Sequence, residues 1–316
     1  MLRRTASVGL LVWLVAATGG LQARTQPPPS TSRAIAMTFD DLPGVLARPT
    51  ADSLADINRR LLATLRISAV PAIGFVNEGR LDVDGERDER TAILRNWVDA
   101  GMALGNHSYN HEGFNDAALA DYEADVLRGE RVTRPLLEGK GKTLVWYRHP
   151  FNQTGPTLDA KTRFEAFAQE HGYRIAPFTV EASDYLFTKF YERALSDRKQ
   201  SQADRVMTEY LRFQDLKMDW AQAFSVETFG REIPQVLLCH VNRINADAMP
   251  ELLRRLRARG YAFITLDQAA QDPAYQTADH YVARNGVSWL HRWRVALNLP
   301  PRLDGEPDPP HWALQP

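Results

Sequence analysis

The sequence predicts an α/β chain: a distorted parallel (β/α) barrel of about seven strands, with a helical insertion between the fifth and sixth. Three observations carry that expectation. Short apolar runs alternate with helical patterns along most of the 316 residues. Titratable residues collect where the apolar runs end, and in a parallel barrel those ends share one face. The rhythm breaks only over residues 186–231, which are charged and helix-prone.

Residues 34–39 form the first apolar run, and 56–65 follow as an amphipathic helix. A second strand is expected over 70–76, then a helix over 88–100 stopped by Gly101. Residues 102–105 make the third strand and 119–137 a long helix. The fourth strand spans 143–147, and the helix over 161–170 ends at His171-Gly172. Residues 174–180 are the fifth strand and 235–240 the sixth. A helix over 249–259, stopped by Gly260, leads to the seventh strand over 262–266. The charges of 186–231 read as a solvated helical face capable of capping one end of a groove. The 300–316 tail is Pro-rich and expected to be extended, with Trp312 as its large anchor.

Arg3 and Arg4 precede an apolar stretch over 8–17, then small residues up to Ala23. That order reads as a signal peptide over 1–23 followed by a Pro-rich linker over 24–33, so an exported domain over 34–299 is expected. The apolar stretch is short for a span of about 20 residues, so no stable membrane insertion is expected after cleavage. The formal net charge of −1 advertises no basic face for nucleic acid. Cys239 is the sole cysteine, so no intramolecular disulfide is available.

The chemistry starts at the end of the first run, where Asp40 and Asp41 stand side by side. His107-Ser108-Tyr109-Asn110-His111 follows the third strand; two histidines four apart converge on one metal ion if the segment turns helically. A carboxylate from another strand end completes a three-ligand site with positions left for water and substrate. Because the carboxylate is doubled, one aspartate can ligate while the other serves as a base. Arg148 and Phe151 follow the fourth strand, Asp184 the fifth, and His240 closes the sixth. The pattern argues for metal-assisted hydrolysis.

These residues resemble the motifs of the polysaccharide deacetylases of carbohydrate esterase family 4, which share the NodB homology domain, over about residues 34–266. Thr38-Phe39-Asp40-Asp41 is similar to the first motif and His107-x-x-x-His111 to the second. Arg148-His149-Pro150-Phe151 resembles the third, usually Arg-Pro-Pro-Tyr. Ser183-Asp184-Tyr185 stands where the fourth has Asp-Trp, and Leu238-Cys239-His240 looks like the fifth.

The resemblance implies a NodB-type barrel and a hydrolase acting on acetylated carbohydrate. It also implies one divalent metal ion on Asp41, His107 and His111: zinc by default, with cobalt or iron suited to the same ligands. Asp40 would be the general base, paired with Arg148, and His240 the general acid, paired with Asp184. Pro150 has no N–H, so the oxyanion donor at that turn falls to the Phe151 amide. Leu238, two residues before His240 and on the same strand face, would wall the acetyl methyl, and Tyr185 would border the substrate.

The chain departs from the family at His149, which replaces a proline and is either a turn residue or a group near the substrate. It departs again at Tyr185, which replaces a tryptophan, and at Glu181, where the family often has aspartate. Cys239 is expected to be buried packing, because neighbours on a strand face opposite ways. Trp289 and Trp293, four apart, read as the core stripe of a terminal helix. Asn77-Glu78-Gly79-Arg80 is a strand-to-helix turn or a lining of the cleft. Two other readings stand: a carbohydrate-binding protein of the same fold without catalysis, and a two-histidine, one-carboxylate Fe(II) oxygenase. An oxygenase would need neither a spare aspartate with its arginine nor a distal acid.

Overall fold

The structure, a computed structural model, describes residues 33–300, 302 and 304–314. The signal peptide expected over 1–23 and nearly all of the linker over 24–33 lie outside the described residues. Strand β1 (Arg33–Val45) runs well past the predicted end at Phe39. Thr50 then caps α1 (Ala51–Ile67) in a capping box with Ser53. Strand β2 (Ala72–Val76), helix α2 (Arg87–Asp99) and strand β3 (Ala103–Asn106) follow close to expectation.

The helix predicted over 119–137 is two helices, α3 (Leu119–Arg128) and α4 (Thr133–Glu138). They part at Gly129, where a Cβ would stand 2.6 Å from the carbonyl carbon of Ser108. Glycine permits that approach to the histidine loop. Strand β4 narrows to Trp146–Tyr147 and leads through α5 (Leu158–Glu170) to a divided fifth strand. Its pieces are β5 (Arg174–Ile175) and β6 (Val180–Glu181), with Pro177 between them. Proline brings no backbone donor, and its carbonyl instead accepts from Arg148 Nη2 at 3.0 Å.

After α6 (Asp184–Ser196) and α7 (Gln200–Phe229) come β7 (Gln235–Asn242), α8 (Arg243–Ala258) and β8 (Tyr261–Ile264). Short helices α9 (Leu266–Ala269) and α10 (Trp289–Ala296) complete the main elements. All strand pairs are parallel, in the order β5-β4-β3-β2-β1-β7-β6, with β8 also on β1. The two edges, β5 and β6, are consecutive in the chain, so four residues carry the sheet round on itself. Counting them as one strand gives the expected distorted barrel of seven.

The 186–231 region is not simply a solvated face. Ala203, Val206, Tyr210, Phe213, Gln214, Lys217, Ala221 and Phe224 recur every three or four residues on α7, and all are buried. Apart from Lys217, its charges lie on the other side, where Asp215 pairs with Arg255 and Arg259. The tail is anchored at more than one point. Trp312 packs its ring against Phe187 and Phe190, and Glu306 pairs with Lys217 and His291. Trp289 and Trp293 are buried, as their spacing predicts. Among the described residues no helix is long and apolar enough to cross a membrane.

Candidate active site

On a regular strand Asp40 and Asp41 would point to opposite faces. They do not, because Asp41 has φ +69° and the β1 register slips on both sides: after Phe39 against β2, and after Asp40 against β7. This bulge turns both carboxylates into one cavity of about 650 Å³. Asp40 is also the register partner of His240 on β7. Neighbouring strands thus bring the expected base and acid side by side.

The histidine pair does not lie on a helix. Residues 107–111 form a loop with φ +64° at Ser108 and +58° at His111, and that turn makes the rings converge. The loop is held from several sides. Asn106 Oδ1 accepts from Ser108 N at 2.7 Å, and Ser108 Oγ accepts from His111 N at 3.1 Å. The Asp125 carboxylate accepts from the N–H groups of Tyr109 and Asn110, and Asn77 Nδ2 donates to the His107 carbonyl. Beneath the loop, Gly79 N donates to the Tyr109 carbonyl at 3.1 Å.

The donor set fits a divalent metal ion. One ligand atom from each of Asp41, His107 and His111 lies within 4.8 Å of the others. Asp41 Oδ1 stands 3.2 Å from His111 Nε2 and 3.8 Å from His107 Nε2, and it is buried without a hydrogen bond. Bonds of about 2.0–2.2 Å from such atoms to one centre need separations of that order. His107 Nδ1–H donates to the Arg148 carbonyl at 2.7 Å, which leaves the Nε2 lone pair free.

Both imidazoles are poised neutral. Burial holds His111 down at about 4, with His107 beside it adding to the effect, and burial also lowers His107. For Asp41, burial pushes upward, but Arg80 and the three histidines of the site outweigh it and hold the carboxyl at about 2. Arg80 Nη2 lies 3.6 Å from Asp41 Oδ1. The sequence leaves Asn77-Glu78-Gly79-Arg80 as a turn or a lining of the cleft, and the Arg80 side chain reaches the Asp41 carboxylate from that turn.

Arg148, fully buried, donates from Nη1 to Asp40 Oδ1 at 2.8 Å and to Thr38 Oγ1 at 2.7 Å. Asp40 Oδ2 is left facing His107 Nε2 at 3.8 Å. Across the cavity, Asp184 Oδ1 accepts from His240 Nδ1–H at 2.7 Å, and Oδ2 accepts from the His240 backbone N–H at 2.7 Å. Burial would lower His240, but the Asp184 charge and hydrogen bond, with Asp41 and Asp40 behind them, raise it to about 10.

Phe151 has φ +55° in the turn after Pro150, and its N–H donates no hydrogen bond among the described residues. Its exposed ring stands edge-on to His111 at 4.6 Å. Tyr185 sits edge-on to His240 at 5.9 Å, and both Tyr185 and Leu238 line the cavity. Glu181 lines it too, raised by burial to about 7. His149 turns away into the core: it stacks with Phe114 and Tyr122, and its Nδ1 accepts from the Tyr122 hydroxyl at 2.8 Å. Burial holds that imidazole well below its ordinary range, so it is a neutral core group.

Comparison with solved structures shows the fold. A CE4 family pseudoenzyme from Bacillus anthracis aligns with 82% of this chain and 69% of its own at 16% identity, with a TM-score of 0.50. A family 4 carbohydrate esterase from Streptomyces lividans, in complex with acetate, covers 76% of this chain and 96% of its own at 19% identity and TM-score 0.47. A peptidoglycan deacetylase from Bacillus subtilis covers 78% and 98% at 17% identity and TM-score 0.48. Against two mutant forms of a CE4 family pseudoenzyme the chain spans 65% and 64% of their length. No curated protein sequence matches the chain. Residues 28–176 match the family model described as polysaccharide deacetylase, and over that stretch the chain is similar to the polysaccharide deacetylase family.

Proposed function

We propose that this chain is an exported, metal-dependent hydrolase that removes N- or O-linked acetyl groups from a carbohydrate polymer or oligomer. The observation that carries the reading is one cavity bordered by Asp41, His107 and His111, by the Arg148-held Asp40 and by the Asp184-held His240. Asp41, His107 and His111 would hold one divalent ion, zinc by default. When bound, the ion would polarise the acetyl carbonyl and draw the pKa of water from about 15.7 towards about 7.

The chain's own groups do the rest. Asp40 Oδ2, the oxygen not engaged by Arg148, takes a proton from the attacking water. The Phe151 N–H donates to the carbonyl oxygen as it gains negative charge; a donor of this kind is worth on the order of 10²–10³ in rate. His240 Nε2–H then protonates the departing amine nitrogen or alkoxide oxygen. Leu238 borders the acetyl methyl and Tyr185 the sugar. An oxygenase would leave Asp40, Arg148, Asp184 and His240 without a task.

The test is acetate release from acetylated xylan, chitin oligomers and peptidoglycan fragments, with Asp40→Asn in parallel. Release by the wild type that falls by about 10²-fold or more in the variant supports the reading. Binding of a glycan by both forms, with turnover by neither, would replace it with a carbohydrate-binding role.

A further inference from the structure

The helical insertion reaches the acid half of the site through a buried chain of hydrogen bonds. Tyr210 on α7 and Asn245 on α8 are both fully buried. The Tyr210 hydroxyl accepts from Gln214 Nε2 at 2.8 Å, so its own proton goes to Asn245 Oδ1 at 2.5 Å. That contact settles the orientation of the Asn245 amide. Its Nδ2 protons face the Asp184 carboxylate at Oδ2 and the His240 carbonyl, the latter at 2.9 Å. Asn242 Oδ1 accepts from Asn245 N at 3.0 Å and fixes the backbone at the start of α8.

Asp184 Oδ2 therefore has two donors, Asn245 Nδ2 and His240 N, while Oδ1 is left to the His240 ring. An Asn245 amide turned the other way would aim an acceptor at an acceptor. The Tyr210 hydroxyl prevents that flip from a helix inside the 186–231 interval that interrupts the barrel pattern.

We propose that Tyr210 and Asn245 are positioning residues for proton donation: they lock the Asp184 carboxylate, and through it the His240 imidazole, so that Nε2–H meets the leaving group. The insertion thereby forms part of the catalytic apparatus. This assignment rests on the deacetylase reading and has a signature of its own. A phenolate leaves without needing a proton, whereas a sugar amine or alkoxide needs one as the bond to the acetyl carbon breaks.

The experiment compares the zinc-loaded wild type, Tyr210→Phe and Asn245→Ala on 4-nitrophenyl acetate and on penta-N-acetylchitopentaose or acetylated xylan. We expect kcat on the glycan to fall about 10-fold in Tyr210→Phe and about 10²-fold in Asn245→Ala. KM, and rates on the aryl acetate, should stay within about 2-fold. Equal losses on both substrates, or no loss on the glycan, would overturn the assignment. Tyr210→Phe removes a single oxygen atom and decides the question alone if Asn245→Ala melts early. A wild type that releases acetate from neither substrate would instead overturn the deacetylase reading, and this proposal with it.

Discussion

Asp184→Asn is the most informative single change to the acid half of the site. The substitution keeps the size of the side chain and removes the charge 2.7 Å from His240 Nδ1. Raising an imidazolium from its ordinary 6.5 to about 10 corresponds to about 5 kcal/mol. Asp184 is the largest support of that shift and burial opposes it, so without the Asp184 charge the imidazole should fall back towards about 6.5. At pH 8 the protonated fraction would then drop from about 99% to about 3%, a loss of about 30-fold in the donor form.

The same shift has a stability sign. His240 is raised above its unfolded value, so its contribution is fully present below about pH 6.5 and lost as pH rises through about 10. The assay is acetate release from a glycan between pH 6 and 10, with 4-nitrophenyl acetate as the substrate that needs no acid. The variant should lose its glycan activity about three pH units earlier than the wild type, while the aryl acetate profile is spared. Coincident alkaline limbs in the two proteins would refute the reasoning.

Other outcomes follow from the same geometry. His111 is held at about 4 and Asp41 at about 2, so protons should not compete with the metal until well below pH 6. Between pH 7.5 and 5.5 zinc affinity should therefore fall far less than the about 100-fold that two ordinary histidines would lose. A competition titration with a chromophoric chelator measures this directly. Gly79→Ala places a Cβ 2.5 Å from the Tyr109 carbonyl oxygen, so the histidine loop must shift. Zinc affinity should fall by about 10-fold or more while the melting temperature of the metal-free protein moves little. Cys239 is fully buried, and burial raises its thiol well above the usual range. It should resist thiol reagents in the native protein, and Cys239→Ala should keep full acetate-releasing activity; rapid labelling of the native thiol would contradict its burial.

Much of the barrel was legible because the apolar runs at 34–39, 70–76, 102–105 and 235–240 are short and end in glycine or polar residues. The fifth run hid its division: composition marks 174–180 as one strand, and only the shared need of Arg148 and the two sheet edges explains the break around Pro177. The site was legible as a set of residue types and less so as geometry. Strand alternation correctly buries Cys239 beside His240, yet the same rule would separate Asp40 from Asp41. The left-handed turn at Asp41 overrides it, and no glycine announces that turn.

His107 and His111 converge for a similar reason. Ser108 and His111 adopt positive φ in a loop held by Asn106, two residues before Ser108, and by Asp125, 15 residues beyond Asn110. Frequent charges in 186–231 obscured a regular apolar stripe on α7. Tyr210, which the stripe carries inward, links that region to Asn245 beside Asp184, while Thr188, Lys189 and Glu192 of α6 line the cavity directly.

The central claim is that Asp41, His107 and His111 hold one divalent ion on which hydrolysis by Asp40 and His240 depends. Its most direct test is to strip the protein with chelator and titrate Zn²⁺ or Co²⁺ back while following acetate release and, for cobalt, the ligand-field spectrum. Activity that returns in proportion to metal and saturates at one equivalent, with His111→Ala binding none at that concentration, is the predicted result. Full glycan deacetylation by the metal-free protein, or one equivalent bound with His107 and His111 both replaced, would contradict it.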